Sequence, residues 1–150
     1  MPENKLKELG IQLKEVKDAG KAMVGYVQTG NYIYISGNGP DWDGKVWDGK
    51  VGAEYTVEEG YEAAKGCALN LLSVLKTAVG DLNRVKRIVK VLGMVNCTDG
   101  FRNQPDVVHG CSDFLQEIFG EKGRHARSAV GVYGLPRNWP VEIEMIVEIE

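Results

Sequence analysis

The sequence reads Arg-His-Ala-Arg-Ser-Ala-Val-Gly-Val-Tyr-Gly-Leu-Pro from Arg124 to Pro136 and Val-Glu-Ile-Glu-Met-Ile-Val-Glu from Val141 to Glu148. Apolar residues alternate with other residues along both runs, which is the period of a β-strand with one buried face. A Leu-Pro pair between the runs is typical of a turn. The two runs therefore predict a two-stranded β-ribbon, and this ribbon decides the C-terminal part of the fold.

Each run carries one charged residue near its start that a simple hairpin does not need, Arg127 and Glu142. If Val130 and Val132 face the core, alternation places Arg127 on the opposite side, where Glu142 can join it across the ribbon. A guanidinium grips a carboxylate through two parallel hydrogen bonds, and a neighbouring glutamate can position a water or take a proton. The pair thus predicts a site for a small carboxylate. The alternative is a solvated cross-strand ion pair, which contributes little to stability.

The rest of the chain predicts a layer of helices on a sheet. A Thr-Gly-Asn turn joins two short alternating runs, and the capping box Thr56-Val-Glu-Glu59 opens a long helix with apolar residues at helical spacing. The predicted elements are strands at 23–28 and 32–36, a helix from Thr56 to Gly80, a strand at 85–95 and an amphipathic helix over 107–118 that closes at Gly120. With the ribbon they give the order ββαβαββ, an α+β domain in which two helices cover one mixed sheet.

Length and composition fit one compact domain. The 150 residues predict a single domain spanning 1–150, with residues 1–20 as an N-terminal extension that packs on it. Lys and Arg total 18 against 21 Asp and Glu, so the net charge of -3 gives no basic surface for nucleic acid or an anionic membrane. No apolar run has the length of a membrane span, and the N-terminus has no apolar signal segment. We expect a cytoplasmic protein with no nucleic-acid and no membrane partner.

The cysteines and histidines do not form a recognisable chemical motif. Cys67, Cys97 and Cys111 contain no Cys-x-x-Cys pair, so we expect reduced, mostly buried thiols and no zinc site. His109 falls off the apolar stripe of its helix and is predicted to be solvated. His125 lies two residues before Arg127 and can line the mouth of the anion site without doing chemistry. Nothing in the spacing indicates a Ser-His-Asp or Cys-His arrangement.

Three segments resemble one known family. HARSAVGVYGLP at 125–136, followed by VEIEMIVEI at 141–149, resembles the C-terminal signature of the Rid family, also called the YjgF family. The run from Thr29 to Asn38 resembles the family's Gly-Asn turn and Ser-Gly strand end, and Gly80 to Val91 resembles its Gly-Asp-Leu segment. The resemblance extends from about Lys21 to Glu148. Three motifs in the right order are much more specific than any one of them.

The resemblance implies a chorismate mutase-like fold and a homotrimer with a pocket between each two subunits, with no cofactor and no metal. It implies that Arg127 binds the substrate carboxylate and that Glu142 is associated with the attacking water. Ser36 and Gly37 match the Ser-Gly pair that borders the pocket. Ala129 stands where many members have a reactive cysteine, so thiol chemistry is excluded at that position, although its backbone can still hold the ligand.

The chain also departs from the family pattern. The family often has a tyrosine seven positions before the turn glycine; an ungapped register puts Met23 there, and Tyr26 reaches that place only with a shift. The loop at 41–52, with its repeated Trp-Asp-Gly-Lys-Val, and the helix region at 104–116 are longer than in the shortest members. These differences indicate a divergent subgroup whose substrate can differ.

The leading functional hypothesis is hydrolytic deamination of reactive 2-enamine or 2-imine acids to 2-keto acids and ammonia. One arginine and one carboxylate suffice for it, because such compounds already hydrolyse in water and need only orientation and modest polarisation. The alternative is a non-catalytic, trimeric binding or regulatory protein that recognises 2-keto acids or related small carboxylates through the same arginine. An endoribonuclease activity is disfavoured, because the acidic chain lacks interleaved basic and aromatic residues.

Overall fold

The computed structural model describes all residues from Met1 to Glu150. A short helix precedes the predicted ββαβαββ order, which is confirmed. The elements are helix α1 (Pro2–Glu8), strands β1 (Tyr26–Thr29) and β2 (Tyr32–Asn38), helix α2 (Val57–Val79), strand β3 (Val85–Asn96), helix α3 (Gln104–Phe119), and strands β4 (Ala126–Val132) and β5 (Val141–Ile149).

The five strands form one mixed sheet in the order β1-β2-β5-β3-β4. β3 and β4 run parallel, and every other neighbouring pair is antiparallel. The mixed sheet was predicted correctly, but the predicted ribbon is wrong in its pairing. β3 lies between the two C-terminal strands, so β4 and β5 are not hydrogen-bonded to each other.

The link between β4 and β5 explains why these strands do not form a hairpin. Residues 133–140 cross the end of β3 and include a 3₁₀ turn at Pro136–Asn138, where Arg137 and Asn138 have φ of 54° and 55°. The side-chain amide of the buried Asn96, at the end of β3, donates to Asn138 Oδ1 and to the next carbonyl, each at 3.0 Å. Hairpin loops usually have two to five residues. This longer link instead carries the chain past β3 to the middle of the sheet.

Helices α2 and α3 cover one face of the sheet. α2 packs on β2 and β5, and α3 packs on β3 and β4. The predicted capping box is present, because Thr56 Oγ1 accepts from the Glu59 amide and the Glu59 carboxylate accepts from the Thr56 amide. The two helices approach closely at Gly110, where a Cβ atom would collide with the Tyr61 carbonyl. The core between the layers includes Ile33, Leu71, Leu72, Ile88, Leu115, Ile143 and Val147.

The other face of the sheet has no helix over it, and we call it the open face. It carries charged residues of β3 and β5 together with large apolar and aromatic side chains. Its most exposed large apolar residues are Val27, Tyr32, Tyr34 and Val130, which are 41 to 54% exposed.

Helix α1 is attached to the helix layer. Leu6 is buried, and the Glu3 carboxylate accepts from Lys76 Nζ at 2.6 Å and from the Leu82 amide at 2.8 Å. The N-terminal segment therefore contacts the end of α2 and the turn that follows it. No helix in the chain combines the length and the apolar character that a membrane crossing requires.

Candidate functional site

Arg127 lies on the edge strand β4, on the face that the helices cover. Arg127 is paired with Val91 of β3, which is a core residue. Because paired residues of adjacent strands point to the same face of the sheet, Arg127 also points toward the helices. Ala129 and Gly131 follow Arg127 on this face. Their small size lets α3 approach β4, since a Cβ on Gly131 would lie only 2.8 Å from the Gln104 side-chain nitrogen.

The sequence predicted the opposite orientation for β4, with Val130 and Val132 in the core and Arg127 pointing away from it. That prediction is wrong. Val130 is 42% exposed on the open face. Apolar character alone predicts the wrong buried face of β4. The small residues Ala129 and Gly131 face the closely packed helix α3, whereas Val130 and Val132 face away from it.

The Arg127 guanidinium is bound by uncharged side chains of α3. Its Nη1 donates to His109 Nδ1 at 2.9 Å and to Ser112 Oγ at 3.2 Å. No carboxylate lies within ion-pair distance of Arg127. The alternative of a cross-strand ion pair is therefore excluded within one chain. A partly buried guanidinium without an acidic partner is suited to bind an anion from solution.

Ser112 connects Arg127 to the second histidine. The Ser112 hydroxyl lies 2.9 Å from His125 Nε2, and His125 Nδ1 lies 2.6 Å from the Gly123 carbonyl. Burial lowers the pKa of His125 below its ordinary 6.5; the Gly123 carbonyl opposes this effect, and the Arg127 charge adds to it. At neutral pH His125 is thus an uncharged ring within a hydrogen-bonded chain.

Sequence reasoning missed two members of this cluster. His109 was predicted to be solvated, and although exposed it is a direct partner of Arg127. Ser112 was not singled out at all. The available signal was their spacing, because residues three apart on a helix share a face, and both lie on the helix that packs on the strand of Arg127.

Glu142 lies on the open face of β5, against β2. A Cβ on Gly37 would collide with the Glu142 carboxylate, so the carboxylate rests directly on the Gly37 backbone. Burial raises the pKa of Glu142 above its ordinary 4.5, and the neighbouring charge of Glu144 raises it further. No cation lies within ion-pair distance of Glu142. The carboxylate therefore has a higher proton affinity than an ordinary surface glutamate.

The predicted meeting of Arg127 and Glu142 on one side of a ribbon does not occur within the chain. Glu142 is the ladder partner of Met94, and Arg127 is the partner of Val91, three positions earlier on β3. An odd separation along a strand places the two side chains on opposite faces. Their strands are also two spacings apart, which is about 10 Å. A small carboxylate cannot touch both groups of the same subunit.

The other predicted site residues divide between the two faces. Gly37 lies with Glu142, and Ala129 lies beside Arg127. The Ser36 hydroxyl donates to the Val24 carbonyl at 2.7 Å, so it holds the segment that leads into β1.

The two candidates for the family tyrosine also differ. Met23 is 65% exposed, whereas Tyr26 lies on β1 beside Val74 of α2, next to the helix layer.

The three thiols are free, with Cys67 and Cys111 buried, and burial raises the pKa of Cys111 to about 12. No group of three His, Cys, Asp or Glu side chains lies in a metal-binding arrangement.

A surface hollow of about 600 Å³ lies elsewhere, between the repeated Trp-Asp-Gly segment and α2. Trp42 and Trp47 line it, and the ammonium groups of Lys14 and Lys45 sit over their rings at 4.5 and 4.6 Å. One face of each indole is thus already occupied by a lysine of the chain itself. The start of this loop is held against α2 by the Asn70 side-chain amide, which donates to the Gly39 and Asp41 carbonyls at 2.9 Å each.

Comparison with known proteins places this arrangement in a family. Residues 3–148 match a family model described as "YjgF/chorismate mutase-like, putative endoribonuclease". The chain belongs to the YjgF/chorismate mutase-like family. The match covers nearly the whole chain, so the fold and the family predicted from the sequence are both confirmed.

Three relatives show how similar this chain is to other members. Protein TCP17 of Trypanosoma cruzi is 43% identical over 146 residues, which cover 96% of this chain and 91% of that protein. The crystal structure of Atu1372 from Agrobacterium tumefaciens, a protein of unknown function, is 40% identical with a TM-score of 0.90, covering 99% of this chain and 92% of that one. RidA from an Antarctic Psychrobacter is 25% identical with a TM-score of 0.60, covering 92% and 97%.

Proposed function

We propose that the protein hydrolyses reactive 2-imine acids, and the 2-enamines that convert to them, to 2-keto acids and ammonia. The observation that carries the proposal is the Arg127 guanidinium, which is held by neutral side chains and has no acidic partner. A guanidinium without an acidic partner can bind the carboxylate of a small acid. Membership in the family adds support, because the residues of its C-terminal signature are present here.

The pocket is proposed to form between subunits of a homotrimer. Arg127 and Glu142 lie on opposite faces of one sheet, so a ligand that touches both takes Arg127 from one subunit and Glu142 from its neighbour. The open face supports such an assembly, because exposed tyrosines and valines lie there without a covering layer. Sedimentation at micromolar concentration should give a mass near three chains, and a monomer would contradict the shared pocket.

In the proposed reaction, Arg127 fixes the substrate carboxylate and a water molecule adds to the carbon of the C=N bond. Glu142 takes a proton from this water, and the imine nitrogen gains a proton, which gives a carbinolamine. The hydroxyl proton of the carbinolamine then passes to the leaving nitrogen, the C–N bond breaks, ammonia leaves, and the C–O bond becomes the carbonyl of a 2-keto acid. Burial raises the pKa of Glu142, and the higher proton affinity that results favours uptake of a proton from the attacking water.

The test uses an imine made in the reaction vessel. An amino-acid oxidase generates a 2-imino acid, semicarbazide traps what survives, and clearance with the wild-type protein is compared with buffer alone. The proposal expects faster clearance with at least one of several amino-acid precursors. Clearance at the buffer rate with all of them, together with binding of a 2-keto acid by calorimetry, would instead support the binding or regulatory protein.

A further inference from the structure

Two side chains bind a single nitrogen of Arg127, and a third side chain binds one of these two. His109 and Ser112 bind its Nη1 directly, and His125 binds Ser112 from the other side. The three residues come from two parts of the fold, since His109 and Ser112 lie on α3 and His125 precedes β4. We call these residues the neutral clamp.

The direction of each hydrogen bond follows from the groups involved. A carbonyl only accepts, so the 2.6 Å contact with Gly123 requires the proton of neutral His125 to be on Nδ1. Nε2 of His125 then accepts from the Ser112 hydroxyl, and the Ser112 oxygen accepts from Arg127. His109 Nδ1 must also accept from Arg127, which places the proton of neutral His109 on Nε2.

The clamp therefore uses both protons of Nη1 and leaves the rest of the guanidinium free. Nε and Nη2 have no acceptor from the protein, and together they form the side of the guanidinium that binds a carboxylate through two parallel bonds. An aspartate or glutamate in the clamp would also orient Arg127, but it would neutralise the cation and compete with the substrate carboxylate. Neutral partners fix the orientation and leave the charge available.

We propose that His109, Ser112 and His125 are positioning residues that present the Nε and Nη2 edge of Arg127 to the carboxylate of a 2-keto or 2-imino acid. The ligand class rests on the proposed function, whereas the positioning itself does not. None of the three touches the reacting atoms; each acts through the arginine.

Pyruvate binding, measured by calorimetry on the full chain, tests the effect on affinity. Ser112→Ala removes the central link, and we expect pyruvate to bind about tenfold more weakly, in line with the loss of a hydrogen bond to a charged group. Ser112→Thr retains the hydroxyl and should restore most of the affinity. Gln116→Ala is the matched control, because Gln116 is exposed one turn further along α3 and its side chain binds nothing. Equal affinity for the Ser112→Ala variant and the wild type would overturn the proposal.

A double-mutant cycle separates positioning from a general structural effect. If Ser112 acts through Arg127, the Ser112→Ala change should alter pyruvate affinity in the wild-type background and not in an Arg127→Lys background. A purely structural role would give the same loss in both backgrounds. Additive losses of pyruvate affinity from the Ser112→Ala and Arg127→Lys changes would therefore contradict the proposal that Ser112 acts through Arg127.

A measurement without ligand keeps this inference separate from the proposed function. In ¹⁵N NMR spectra of the full chain, the clamp predicts distinct Nη1 and Nη2 signals for Arg127, because rotation about the Nε–Cζ bond is hindered. The two signals should merge in the Ser112→Ala variant and stay distinct in Gln116→Ala. If pyruvate binds neither the wild type nor the variants while the NMR signals behave as expected, the proposed ligand class fails and the positioning of Arg127 stands. Merged signals in the wild type would overturn the positioning.

Discussion

Arg127 and Glu142 lie on opposite faces of the same sheet, and the two faces surround their charged groups differently. On the helix face, the neutral clamp of one chain binds Arg127 through hydrogen bonds of 2.9 and 3.2 Å. On the open face, Glu142 rests on Gly37 and has no cation near it. Arg127 is thus held in place by side chains of the same chain, whereas the Glu142 carboxylate has no cationic partner. The comparison predicts that changes at the two residues have separable effects on binding and on turnover.

Glu142→Gln should produce the largest effect on turnover. The amide is nearly isosteric with the carboxylate but cannot take a proton, and general acid and base catalysis is typically worth about 10²- to 10⁴-fold. We expect imine clearance to fall by about that factor, while pyruvate binding by calorimetry and the sedimentation mass stay close to those of the wild type. A variant that clears imine as fast as the wild type would leave the activity intact and remove Glu142 from its proposed role.

Arg127→Lys should affect binding rather than chemistry. A lysine keeps the charge but cannot form two parallel hydrogen bonds, so pyruvate affinity should drop by about 10- to 100-fold, almost as much as in Arg127→Ala. Calorimetry on the wild type and the Arg127→Lys and Arg127→Ala variants measures this loss of pyruvate affinity. Full affinity in the lysine variant would place the carboxylate site elsewhere in the molecule.

Gly37→Ala tests the close contact between the Gly37 backbone and the Glu142 carboxylate. A methyl group at this position collides with the carboxylate, so Glu142 must move and imine clearance should fall by about tenfold, the effect of a small misplacement of a catalytic group. Gly25→Ala is a matched control, since its Cβ would lie 3.7 Å from Val74, which is an ordinary contact. Equal imine clearance by the Gly37→Ala and Gly25→Ala variants would argue against a role for the contact between Gly37 and Glu142.

Glu144→Gln should give the smallest effect. Burial and the charge of Glu144 together raise the pKa of Glu142, so the base form is lost as the pH falls through a value above the ordinary 4.5. Removing the charge of Glu144 should move this acidic limb of the kcat/KM profile to lower pH. Glu148→Gln on the same strand is the control and should leave the limb in place. A shift toward higher pH would contradict the assignment of Glu142 as the titrating group.

The order of elements could be predicted from the sequence because local signals encode it. The capping box, the Gly-terminated helices and the alternating runs each depend on residues close together in the chain, and the structure confirms them. Strand pairing depends on distant residues. The insertion of β5 between β2 and β3 is accompanied by contacts of Asn96 with the 133–140 link, which no local pattern reveals.

The candidate site was predicted as a set of residues but not as a geometry. Alternation correctly separated Arg127 from Val130, yet it could not say which of the two faces the helices, because Ala129 and Gly131 carry little hydrophobic signal. The spacing of His109 and Ser112 places them on one face of α3, but no local pattern shows which strand that face contacts. His109 and Ser112 meet Arg127 only because close helix packing on β4 brings them there.

The position of β5 also has a consequence for how the chain is synthesised and folds. Within the sheet, the hairpin of β1 and β2 and the parallel pair of β3 and β4 are joined only through β5, which follows the other four strands in the chain. Until residues 141–149 emerge from the ribosome, the nascent chain holds two separate pieces of sheet with unpaired edges, which are prone to aggregate. Sheet assembly therefore has to follow translation of the last strand. A premature stop codon before Val141 would leave these two pieces without the strand that connects them.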